Sequence, residues 1–214
     1  MSVSRKIFLE HLKTVDYIKF NNISADWHNI INDAEDIAKN NPDYWYSLVV
    51  DKDEEFDVWD DAGKEYFTQL QKLKSWGYNP SNTRTWGTTH TRPHITMSWE
   101  ENVAKQLPLL NLISRPTLQT PGNVLPWHQD KFFNFKRNYP NDIKFIVRFT
   151  IFMKDWQIGH VLQAGNSIIS HWRAGDCVIW YPDRWHLSAN IGINNKWTNN
   201  ITGILTEEIN WDSI

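Results

Sequence analysis

A chain of 214 residues with 41% hydrophobic and 22% charged residues has the make-up of an ordinary folded protein, long enough to bury a substantial core and short enough to be one domain, 1–214. Its formal charge of −3 gives no support to a role dominated by nucleic acid, which calls for a basic surface. Cys177 is the only cysteine, so neither an internal disulfide framework nor a thiolate metal cluster can form, which suits a reducing, cytoplasmic setting.

The N-terminal stretch MSVSRKIFLEHLKTV is amphipathic, with no apolar run or cleavage signal, and nowhere do the ~18 consecutive apolar residues needed to span a membrane occur. Ile7, Phe8, Leu9 and Leu12 predict a short helix over 2–14. Ser24 is placed to cap a second helix reaching about Lys39, with Trp27, Ile30, Ile31, Ala34 and Ile37 on one face. Asn40, Asn41 and Pro42 end it. Residues 44–50 read as a strand, 64–76 as a helix closed by Gly77, and 79–93 as loop. Ser98 with Glu101 forms a capping-box pattern ahead of 103–110.

After Arg115 the texture changes to short extended runs at 117–120, 144–153, 160–162, 167–171, 177–181 and 200–207. Pro121-Gly122, Asn141-Asp142, Gly165-Asn166, Gly175-Asp176 and Pro182-Asp183 separate them. Short strands between turn signals predict a sandwich or jelly roll, an antiparallel barrel-like core with helices supplied mostly by the first half.

Within LPWHQD, His128 and Asp130 are alternate residues, which point the same way on an extended strand and can share one metal. DRWH supplies His186 just past another strand-like run. Two imidazoles and one carboxylate on one face leave the remaining positions of an octahedral ion open, the facial ligand set of non-haem Fe(II) oxygenases. A His-x-Asp alone can equally be a pair bonded to backbone groups in a turn; the turns and strands around both segments favour the metal.

These segments resemble the 2-oxoglutarate/Fe(II) oxygenase family. Residues 115–130, RPTLQTPGNVLPWHQD, are similar to the first core strand of its double-stranded β-helix, with a Gly a few residues before the His. The similarity is greatest to the aspartyl/asparaginyl β-hydroxylase and proline-hydroxylase-like branch. FIVRFTIFM at 145–153 resembles that branch's Arg-bearing strand, and 172–190, WRAGDCVIWYPDRWHLSAN, its segment running from Gly through strand and turn to the distal His and an Asn. The resemblance covers roughly 115–206. It implies an α+β fold, mainly β: a double-stranded β-helix (jelly-roll, cupin-like) core at 113–208 with N-terminal helices, 1–112 being the helical or mixed extension. It also implies Fe(II) on His128, Asp130 and His186, 2-oxoglutarate as co-substrate, O2 as oxidant, and hydroxylation of an amino acid, peptide or protein side chain with release of succinate and CO2.

The distal carboxylate of 2-oxoglutarate calls for a cation. In the resembled branch an Arg lies ten positions after the distal His; here that position is Lys196. Arg148 is the other candidate, since an Arg among Phe145, Ile146, Val147 and Phe149 is costly to bury without an anion; the alternative is an outward-facing residue of an alternating strand. Thr150, Asn190 and Thr198 can add hydrogen bonds. His160 and His171 lack a carboxylate two residues away and read as structural or substrate-facing, structural being favoured. Trp127 and Trp185, each next to a ligand candidate, should face away from the metal and pack as support. His90 and His94, with Arg84 and Arg92, fall in a polar loop, and the acidic stretch at 51–61 reads as a solvated surface. The thirteen tryptophans read as large core rings or as the lining of a substrate cleft. The competing functions are another outcome at the same iron, a non-redox cupin-like metal- or ligand-binding protein, and an oxygenase acting on nucleic-acid bases.

Overall fold

The computed structural model describes residues 2–47, 49, 61–87 and 95–210; the expectations for 51–60 and 88–94 lie outside them. The chain opens with β1 (Ser2–Ser4) and α1 (Arg5–Thr14), whose spacing buries Phe8, Leu9 and Leu12. After β2 (Ile18–Phe20) comes α2 (Trp27–Asn40). Its cap is Asp26, whose carboxylate accepts from the Asn29 amide, and not Ser24. The Ser24 amide and carbonyl are held instead by the Gln106 side chain.

A 3-10 turn at Pro42–Tyr44 leads into β3 (Trp45–Ser47). Helix α3 (Asp61–Ser75) is closed by Gly77 at φ 88°, the left-handed conformation that favours glycine. Strand β4 (Arg84–Gly87) lies in the stretch expected to be loop, and α4 (Glu100–Ala104) begins at Trp99 without a side-chain cap, so the Ser98–Glu101 box does not form. The remaining elements are β5 (Leu109–Gln119), β6 (Asn123–His128), α5 (Phe133–Asn138), β7 (Ile146–Phe152), β8 (His160–Ala164), β9 (Ser167–Ile169), β10 (Cys177–Ile179), β11 (His186–Asn190), β12 (Lys196–Leu205) and β13 (Glu208–Asn210).

The strands build a jelly roll, an α+β fold that is mainly β. A seven-stranded sheet runs β2-β10-β7-β12-β5-β4-β3 and a four-stranded sheet runs β6-β11-β8-β9, while β1 and β13 pair separately. Three strands of the large sheet therefore come from the first 112 residues. Every pairing is antiparallel. Among the described residues no helix is long and apolar enough to cross a membrane.

Strand alternation divides the large sheet into two unlike faces. Phe149, Ile151, Cys177, Ile179, Trp197 and Ile201 belong to the same apolar cluster as Phe8, Leu12, Ile30 and Ile31 of α1 and α2. The intervening residues of β12 are Lys196, Thr198, Asn200 and Thr202, in register with Gln119, Thr117, Arg115 and Ile113 on β5; the last three of the four also meet Phe152, Thr150 and Arg148 on β7. This second, polar row looks across at the four-stranded sheet. Trp86, Trp99, Trp172, Trp180 and Trp197 are buried and serve the core, whereas Trp76 and Trp185 are exposed.

Gly175 holds the turn into β10 at φ 89°, where an added Cβ would meet the Ile23 carbonyl at 2.6 Å. Ile23 in turn donates its amide to the Gly175 carbonyl. Gly175→Ala is expected to cost about 2–4 kcal/mol from left-handed strain and displaced backbone, read as a lower denaturant midpoint at unchanged slope. An unaltered midpoint would contradict this account of the turn.

Candidate metal centre

His128 is the last residue of β6 and His186 the first of β11, and the two are direct partners across that strand pair. Asp130 follows two residues past the end of β6, in the connection to α5. One ligand atom from each of the three lies within 4.8 Å of the others. The histidine rings stand 4.2 Å apart between centroids. Both Nδ1 atoms are engaged by backbone carbonyls, His128 with Pro126 at 2.7 Å and His186 with Arg184 at 3.0 Å. A carbonyl can only accept, so it fixes the proton on Nδ1 and leaves the Nε2 lone pair for a ligand bond.

Asp130 completes the set. Its Oδ2 is buried without a hydrogen-bond partner and stands 3.8 Å from His186 Nε2, too far for a hydrogen bond. An orphaned carboxylate oxygen between two imidazole lone pairs is what a divalent cation would satisfy, and these three residues fit one.

The electrostatics keep this donor set ready. Burial, then the neighbouring His128, push His186 down to about 3, and burial lowers His128 as well. Both are therefore neutral near pH 7. Burial by itself would raise the Asp130 carboxyl; the Arg148 guanidinium beside it, with smaller help from His186, His128 and Arg115, outweighs that and holds it below the usual range.

Arg148 is not an outward-facing strand residue. Its Nη1 donates to Asp130 Oδ1, its Nε donates to Thr202 Oγ1 at 3.1 Å, and the guanidinium lies 5.2 Å from the Phe132 ring centre. Lys196 sits further along the polar row. It is 2% exposed, and its Nζ donates to the Val161 carbonyl at 2.5 Å and to Ser188 Oγ at 2.7 Å. Ser188 is two residues beyond His186 on the same side of β11, about 7 Å along the strand. Burial pulls the Lys196 ammonium down to about 7.

Thr198 is buried in the polar row, and Thr150 donates to Asn200 Oδ1 at 2.8 Å. Asn190 gives its amide hydrogens to the Gln119 and Asn194 carbonyls and accepts from Gly192, bracing the end of β11. His160, paired with the Asn194 carbonyl at 3.0 Å, and His171, stacked on Trp156, stand apart from the triad. Trp185 is 46% exposed and does not pack behind the ligands; Trp180, 4.7 Å from His186 between ring centres, does.

Four contributors were not singled out by the sequence: Thr202, Phe132, Ser188 and Arg184. The first and third share alternation parity with Arg148 and Lys196, or with His186, once the strands are paired. Arg184 shows only in three dimensions: its Nη2 donates to the Lys13 and Val15 carbonyls, tying the turn that carries His186 to the end of α1.

No protein-family model matches the sequence, and no curated protein matches it. Among solved structures, a prolyl-4-hydroxylase from Pseudomonas putida superposes with a TM-score of 0.51 at 12% identity, over 94% of this chain and 98% of that one. The non-heme monooxygenase ThoJ, as its nickel complex, gives 0.50 at 14% identity, over 94% and 78%. At such identities the likeness establishes the shared fold.

Two histidines held neutral, His186 buried and His128 part-buried, make the metal-free protein acid-sensitive. Their unfolded-state pKa is about 6.5 and the folded value for His186 about 3, so the unfolded chain binds more protons between these limits and stability falls as pH drops below about 6.5. The ionised Asp130 acts in the same direction nearer pH 4. The expected loss is on the order of a few kcal/mol by pH 4. Thermal melts of chelator-treated protein from pH 7.5 to 4 should show it, with a shallower slope for His186→Gln.

Proposed function

We propose that the chain is a non-haem Fe(II) oxygenase that takes 2-oxoglutarate as co-substrate and hydroxylates a carbon of an amino acid, peptide or protein side chain in a cytoplasmic setting. The observation that carries this reading is the buried, unpartnered Oδ2 of Asp130 beside two imidazoles whose Nδ1 atoms are already engaged. Support comes from the jelly-roll fold shared with a prolyl-4-hydroxylase and a non-heme monooxygenase. Bound Fe(II) would supply O2 activation coupled to decarboxylation of the 2-oxo acid.

In this reading His128, Asp130 and His186 hold the metal, and Lys196 receives the distal carboxylate of 2-oxoglutarate. Lys196 is the better placed of the two cations, because Arg148 is already paired with a carboxylate, Asp130, whereas Lys196 holds only neutral acceptors, carbonyls and a hydroxyl. The strand spacing between His186 and Ser188, which touches Lys196, suits a five-carbon diacid chelated at one end. Thr198 and Thr150 line the same polar face.

The test is an anaerobic titration with Fe(II) and 2-oxoglutarate, watching for the visible metal-to-ligand charge-transfer band. The band should require both additions and be lost in Asp130→Ala; His128→Ala and His186→Ala should abolish turnover. Tight metal binding with no band would favour the non-redox cupin-like alternative.

Lys196 generates a separate expectation. A carboxylate binds its charged form, and that form is half-depleted near pH 7 in the free protein. Affinity for 2-oxoglutarate should therefore hold below about pH 7 and fall above it, approaching tenfold per pH unit, with proton uptake seen calorimetrically on binding. Lys196→Ala should raise the 2-oxoglutarate requirement and remove this pH dependence; wild-type affinity in that variant would show that the anchor lies elsewhere.

A further inference from the structure

We infer that Arg148 is a positioning residue for the metal centre: it takes one oxygen of Asp130 so that only the other is offered to the ion. The inference rests on the metal-site reading of His128, Asp130 and His186 given above.

The two histidines are oriented by strands and by backbone carbonyls. Asp130 has no such guide, because it lies beyond β6 in an irregular connection. Arg148 supplies one. Its side chain is only 20% exposed, and a guanidinium so largely buried calls for an anion. Asp130 provides it through Oδ1. The guanidinium is itself held from two other directions. Its Nε is bonded to Thr202, its register partner on β12, and Phe132 lies 5.2 Å away. The planar fork thus connects the centre of the large sheet to a carboxylate in a loop, a geometry a lysine cannot reproduce.

The consequence is coordination number. A carboxylate with both oxygens free can chelate and occupy two positions on the ion. With Oδ1 engaged, Asp130 contributes Oδ2 alone, and the three protein ligands leave half of a six-coordinate shell open. Three open positions accommodate a bidentate 2-oxo acid and one further small molecule; a chelating Asp130 would remove one of them.

The test uses Co(II) as the probe, added to the full-length, chelator-treated protein without 2-oxoglutarate, with affinity read by calorimetry and coordination by the visible ligand-field bands. Arg148→Gln should weaken Co(II) binding roughly 10- to 100-fold and change the band intensities as Asp130 becomes free to chelate. Thr202→Val keeps both charges and removes only the Nε acceptor. It should give a smaller loss of the same kind, as should Arg148→Lys. Circular dichroism and cooperative melting establish that each variant is folded, and Thr202→Val serves if Arg148→Gln is not. Wild-type affinity and bands in the folded variants would overturn the positioning role while leaving the metal centre standing. Failure of the wild-type protein to bind Co(II), or binding indifferent to Asp130→Ala, would overturn the metal-site reading and this inference with it.

Discussion

Strand β12 lies at the middle of the large sheet and is buried on both faces, and most of the structure follows from that constraint. Its apolar side is satisfied by the layer that α1 and α2 lay over it. Its other side carries a lysine, two threonines and an asparagine that water does not reach freely. Buried polar groups must find partners inside the protein. Here Lys196 reaches across to Ser188 and Val161 on the other sheet, while Thr202 with Arg148 and Asn200 with Thr150 pair between adjacent strands. The barrel lining next to the triad is thus polar in part, beside a smaller apolar cluster that includes Phe152, Leu162, Trp172, Val178 and Trp180, while the larger hydrophobic cluster sits under the helices.

That division explains what was legible in the sequence. His128 and Asp130 could be read as a pair because their relation is local, two residues apart, and His186 because turn and strand signals frame it. The α1 and α2 faces followed from helical spacing. Arg148 was undecidable at that level, since both its readings fit an alternating strand; the deciding fact is the position of Asp130, eighteen residues away in a connection that obeys no periodicity. The caps failed for a related reason. Ser24 and Ser98 have the right side chains, but Gln106 holds the Ser24 backbone and the helix after Ser98 starts without a cap bond. Strand β4 was hidden among turn residues because its stability comes from pairing with β3 and β5, not from its own four residues.

The first 112 residues are more than a covering. They lend β2, β3 and β4 to the sheet. Through the carbonyls of Lys13 and Val15 they also anchor Arg184, whose own carbonyl sets the His186 ring. The His186 ring is therefore oriented through a chain of bonds that begins at the end of the first helix, and Asp16 adds a further contact to Arg184 at 3.7 Å. The division of labour between the two arginines is complementary: one steadies the turn bearing His186, the other the connection bearing Asp130.

The central place of β12 has a consequence for how the molecule comes apart. Its ladder is shared between β5 on one side and β7 on the other, over most of its ten residues. Neither neighbour can leave without exposing it, and it cannot open without uncovering the helical layer and the barrel lining together. Its amide hydrogens are thus tied to global unfolding and belong among the slowest to exchange with solvent, whereas the short two-bodied ribbon of β1 and β13 can fray alone. The rows that surround the candidate metal site share the fate of the most protected strand, so the arrangement of His128, Asp130 and His186 persists for as long as the fold itself does.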